Sequence, residues 1–71
     1  MTNDPPTAHE AARLAWDADR AMARGDLQNA ERLYRLALSA FQTHESRRGV
    51  AGAMTGLGAA LHAQGDRKSV V

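Results

Sequence analysis

The sequence predicts an all-α protein, an antiparallel helical hairpin followed by a third helix. Three observations predict it. Alanine occurs fifteen times and isoleucine never, with one Phe, one Tyr and one Trp, a composition that suits closely packed helices and not a sheet. Apolar residues recur at three- and four-residue spacing in three stretches. Between those stretches stand the glycine and small polar residues that stop one helix and start the next.

Taking the elements in order, residues 1–6, MTNDPP, offer nothing to bury and are expected to be disordered. Thr7 and Glu10 have capping-box spacing, and Pro6 discourages an earlier start, so the first helix is predicted over 8–24. Its apolar stripe is Ala11, Leu14, Ala15, Ala18, Ala21 and Met22, mostly small residues that let a neighbour approach closely. Gly25 is the expected left-handed stop, and Asp26 is placed to cap the second helix. That helix, 27–42, carries the broadest apolar face: Leu27, Ala30, Leu33, Tyr34, Ala37, Leu38 and Phe41. The stretch THES interrupts the pattern, and Ser46 is placed to cap a third helix over 47–64 with Val50, Met54, Leu57 and Leu61 at helical spacing. Four glycines, Gly49, Gly52, Gly56 and Gly58, lie inside this helix. Each costs up to about 1 kcal/mol against Ala, so the helix needs tertiary contacts.

Composition also excludes function classes. Seventy-one residues allow one small domain, and a chain of this size buries only about 60% of its unfolded surface. Without cysteine there is no disulfide or thiolate metal site, in keeping with a reducing cytoplasm, the expected location. No apolar run approaches the roughly 20 residues that cross a bilayer, so no membrane partner is expected. His9, His44 and His62 are too scattered to pair on a metal, and no carboxylate adjoins His62 in sequence. His44-Glu45 reads as a solvated turn, Ser39, Ser46 and Thr55 lack a triad context, and GVAGAMTGLG lacks the lysine of a phosphate loop. The expectation is a chain that is not an enzyme and has neither cofactor nor metal. Arg47-Arg48, unfavourable at a helix start, is read as an exposed pair neutralised by Glu45 or by carboxylates of the second helix.

Gly25-Asp26 and Gly65-Asp66 stand 40 residues apart, each after a helical stretch, which predicts two copies of one helix-turn-helix unit. Gly25-Asp26 with Ala30, Tyr34, Ala37 and Leu38 resembles the turn and second helix of a tetratricopeptide repeat, and Leu57-Gly58 with Leu61 resembles part of the next repeat's first helix. The segment AERLYRLALSAFQTHESRRGVAGAMTGLGAALHAQGD is similar to the longer, roughly 40-residue repeats of large bacterial regulatory proteins. The first helix departs from that pattern, with Asp17, Ala18 and Ala21 where Leu, Gly and a large aromatic are usual.

The resemblance implies a protein-interaction scaffold in which the first helix of each hairpin lines a concave groove. Counted from the glycine turns, the groove candidates are Ala12, Ala15, Trp16, Asp19 and Met22, with Thr55, Ala59 and His62 on the third helix. Trp16 either completes the core or anchors a peptide. The Lys/Asn set with which chaperone-binding members clamp a carboxylate terminus is absent. The expected partner is therefore a protein or peptide. One alternative is a self-associating module that buries Met54, Leu57 and Leu61 against a second copy, and another is the regulatory domain of an enzyme.

Lys68 is the only lysine beside eight arginines. Asp-Arg-Lys-Ser-Val-Val with a stop after it can be encoded by GAT CGG AAG AGC GTC GTG TAG, which resembles the opening of a short-read sequencing adapter. Residues 66–71 are therefore expected to be a non-native tail, with the array continuing beyond Gly65; the alternative is a genuine short tail ending Ser-Val-Val. Removing Asp66, Arg67 and Lys68 lowers nine basic residues to seven and eight acidic ones to seven, a formal charge of zero. The basic balance is thus no argument for nucleic acid.

Overall fold

The computed structural model describes residues 8–68, which form three α-helices and no strand: α1 (Ala8–Ala23), α2 (Leu27–Thr43) and α3 (Arg47–Lys68). The all-α prediction holds. The expected disorder of residues 1–6, the Thr7 half of the capping box and the last three residues of the tail lie outside the described residues.

The two turns are one motif used twice. Gly25 adopts φ +80°, its N–H donates to the Met22 carbonyl (3.0 Å), and the Asp26 N–H reaches back to the Ala21 carbonyl (2.9 Å). These are the two bonds of a Schellman cap, which satisfies carbonyls that the helix end would leave orphaned. Twenty residues on, Glu45 takes the left-handed position with φ 54°, its N–H donates to Gln42 (3.1 Å), and the Ser46 N–H donates to Phe41 (2.9 Å). The second turn thus repeats the first with a glutamate where glycine stood.

The starts of α2 and α3 differ. The Gly49 N–H donates to Ser46 Oγ (3.2 Å), so Ser46 caps α3 as its position predicts. Asp26 occupies the same place before α2, yet its side chain makes no capping bond. Its carbonyl alone accepts, from the Ala30 N–H (3.0 Å).

The expected stop at Gly65 is corrected. The helix runs through Gly65 to Lys68, four residues past the predicted end, and Gly65 has none of the positive φ of Gly25. A glycine ends a helix when the chain turns and seats the next residue against the helix it leaves. Arg24-Gly25-Asp26 does this because α2 folds back onto α1. At Gly65 the backbone keeps its helical bonding, so among the described residues the turn equivalent to Gly25-Asp26 is Glu45-Ser46, twenty residues on.

Packing rests on small residues. α2 lies between α1 and α3, packing extensively on both, whereas α1 and α3 barely meet. The buried positions are Ala11, Ala18 and Ala21 of α1, Ala30, Tyr34, Ala37 and Ala40 of α2, and Ala53 and Ala60 of α3. Each buried methyl contributes only on the order of 1 kcal/mol, so the close approach of backbones matters as much as hydrophobic area. Tyr34 is the one large side chain at this depth among the described residues. Ala18, Ala21, Ala30, Tyr34 and Ala60 form the core cluster, with Met22, Leu33 and Leu57 packed at its edge.

The inner face of α3 is the small one, Gly49, Ala53, Gly56 and Ala60, while Met54 and Leu61 point outward. The rings of Phe41 and Tyr34 occupy the space that side chains at Gly49 and Gly56 would need. At its far end α3 is tied to α2 by Gln64, whose Nε2 donates to Glu31 Oε1 (2.7 Å), and Glu31 also pairs with Arg35 (2.9 Å).

Candidate interaction groove

Because α1 and α3 both lean on α2 and scarcely touch each other, a furrow remains between them. It encloses about 300 Å³. One wall comes from α1 through Ala12, Ala15, Trp16 and Asp19; the other comes from α3 through Gly49, Gly52 and Ala53. Tyr34 and Phe41 of α2 form the floor. The furrow exists because its walls are small: alanine and glycine leave room that larger side chains would fill.

Two polar features stand in this apolar setting. The Tyr34 hydroxyl donates a hydrogen bond to Asp19 Oδ1, joining α2 to α1 across the furrow. Burial, reinforced by this bond and by the negative charge of Asp19, pushes the Tyr34 hydroxyl up to about 12 from an ordinary value of 10.0, because all three disfavour the phenolate. Trp16, one helical turn before Asp19, is 65% exposed, so it does not finish the core.

The five singled-out groove residues are separated by the fold. Trp16 and Asp19 line the furrow. Met22, next in the same register, is half-buried and packs against the Ala18, Ala21 and Tyr34 cluster at the core's edge. Thr55 is exposed, and its hydroxyl donates to the Ala51 carbonyl of its own helix (2.9 Å). His62 is exposed on α3 with Nε2 3.5 Å from Asp66 Oδ2, a pairing that arises because the helix continues past Gly65 and sets the two at i, i+4. Sequence reasoning, with the helix ended at residue 64, finds no carboxylate for His62.

Sequence reasoning also misses the floor. It places Tyr34 and Phe41 on the core face of α2 and gives Gly49, Gly52 and Ala53 no site. A signal is nonetheless present: Tyr34 and Phe41 are seven residues apart, as are Gly49 and Gly56, so two rings meet two gaps when the helices run antiparallel.

Other surfaces are plainer. Leu36, Met54 and Leu61 are exposed at 48%, 57% and 44%, leaving an apolar stripe on the outer side of α3 and a single leucine on α2. Arg47 and Arg48 are exposed and form no ion pair among the described residues, so the expected pairing with Glu45 or with α2 carboxylates is corrected, although Glu45 and Arg47 line a common hollow. Among the described residues no group of three or more His, Cys, Asp or Glu is placed to hold a metal, and no helix is long and apolar enough to cross a membrane.

Fold and groove together define a small all-α unit with a furrow between its outer helices. Comparison with protein-family models, curated proteins and solved structures finds no match to this chain.

Proposed function

We propose that the chain is a protein-interaction module, a segment of tetratricopeptide-like helical scaffold that binds a peptide of a protein partner along the α1–α3 furrow. The observation that carries this reading is Trp16, a large aromatic left 65% exposed on the wall of a furrow whose other wall residues, Asp19 apart, are Ala and Gly. An aromatic so placed supplies contact area with little loss of side-chain freedom on binding, which is what interface anchors share. Binding of this kind needs no catalytic group. The test is selection of peptides from a displayed library on the immobilised chain. Binders that lose at least tenfold in affinity with Trp16→Ala and none with Leu36→Ala support the reading, and binders indifferent to Trp16→Ala reject it.

A second reading, self-association through the outer face of α3, is favoured by the exposure of Met54 and Leu61. Sedimentation over a range of concentrations separates the two. A dimer abolished by Met54→Asp supports self-association, and a monomer at every concentration removes it.

A further inference from the structure

We infer that the furrow selects a partner segment bearing a cationic side chain, whose charged head stacks on Trp16 and pairs with the carboxylate of Asp19. This rests on the reading of the furrow as a peptide site. Trp16 and Asp19 are three residues apart on α1 and therefore neighbours on one face, both lining the furrow. Trp16 offers an exposed ring face, and a guanidinium or ammonium near an indole is drawn to its negative quadrupole. Asp19 supplies the opposite charge. Its Oδ1 is engaged by the Tyr34 hydroxyl, which fixes the carboxylate's orientation, and its second oxygen makes no hydrogen bond or ion pair among the described residues.

The chain's own cations do not take this place. Arg13 stands one turn before Trp16 and, with His9, Ala12 and Trp16 itself, lines an adjoining hollow that does not include Asp19. No arginine sits three or four residues from Asp19 on α1, the spacing at which a helical ion pair would close. The walls beside Asp19 are apolar and small, so the stem of a lysine or arginine can lie between Ala15 of α1 and Gly52 and Ala53 of α3 with its head at Asp19. A partner carboxylate in this position would meet Asp19 without compensation.

Trp16 is the only tryptophan, so intrinsic fluorescence reports this site alone. The test titrates the full chain with the capped tripeptide leucyl-arginyl-leucine, its neutral citrulline isostere and its glutamate counterpart. The arginine peptide is expected to give a saturable change, with affinity about tenfold above citrulline and higher still over glutamate. Asp19→Asn, which keeps an acceptor for Tyr34, is expected to lower arginine affinity about three- to fivefold and citrulline affinity by less, so that the preference for arginine shrinks. Equal affinity for all three peptides, or preference for glutamate, overturns the cation site and leaves the peptide furrow standing. Absence of a saturable change with every peptide overturns both.

Discussion

The ring of Tyr34 fills the space that a Cβ on Gly56 would occupy. This relationship explains how a helix with five internal glycines is held in place. The glycine that weakens α3 in isolation admits the one large side chain buried in the core among the described residues, and the hydroxyl of the same side chain donates to Asp19 on α1. Loss of local propensity is offset by a contact that joins all three helices.

Alanine at Gly56 therefore lowers stability despite its better helix propensity. The expected loss is about 1–3 kcal/mol, because the ring is pinned at its hydroxyl and cannot swing aside. Gly58, with open space around its α-carbon, behaves oppositely: Gly58→Ala adds up to about 1 kcal/mol. Urea unfolding followed by circular dichroism compares the two, and equal shifts of the same sign would contradict the packing described.

Glu45 holds a left-handed conformation that Gly25 occupies at no steric cost. Glu45→Gly is expected to stabilise the chain by about 0.5–1 kcal/mol, the relief of strain being partly cancelled by added freedom in the unfolded chain. Gly25→Ala, at φ +80°, is expected to cost at least about 1 kcal/mol. Thermal melts of both variants check the pair.

Capping separates the two helix starts. Ser46→Ala removes the acceptor for the Gly49 N–H and is expected to cost about 1 kcal/mol. Asp26→Ala removes no capping bond and is expected to change stability by less than half as much. A larger loss at Asp26 than at Ser46 in denaturant titrations would reverse the assignment.

Tyr34 gives the chain an alkaline limit. In the folded state its hydroxyl titrates near 12, and in the unfolded chain near 10. Below pH 10 both states hold the proton, and stability is independent of this group. Between 10 and 12 the unfolded chain releases the proton first, so stability falls as pH rises, by an amount on the order of 1–2 kcal/mol. Tyr34 is the only tyrosine, so phenolate absorbance tracks it directly, and a native midpoint near 10 would show that the group is neither desolvated nor bonded to Asp19. Tyr34→Phe is expected to abolish the fall in this window.

Much of the fold is legible in the sequence for identifiable reasons. Gly25 and the stretch THES break the 3.6-residue periodicity, and both breaks are turns. The faces of α1 and α2 are legible because each offers one apolar stripe. α3 is not, because it offers two: the large Val50, Met54, Leu57 and Leu61, and the small Gly49, Ala53, Gly56 and Ala60. Hydrophobicity favours the first and fit to the rings of α2 favours the second; the small set faces α2, Val50 and Leu57 stay half-buried, and Met54 and Leu61 are left exposed. Gly65 misleads for a related reason, since glycine permits a left-handed stop without requiring one. Of the groove, the α1 wall follows from what the repeat resemblance implies for that helix, with counting from Gly25 choosing the positions, while its floor depends on a contact between elements that periodicity within one helix does not encode.

Six of the eight buried alanines among the described residues fall in pairs seven residues apart, Ala11 and Ala18, Ala30 and Ala37, Ala53 and Ala60. Alone, such a smooth seam would tolerate α3 slipping along α2 by two turns, methyl trading places with methyl. The aromatic pair forbids it. A slip toward one end sets Phe41 over Gly56 but drives Tyr34 onto the methyl of Ala63, and a slip the other way carries Phe41 off the start of the helix. Two rings and two gaps thus act as the teeth of a ratchet, giving an otherwise featureless interface a single setting.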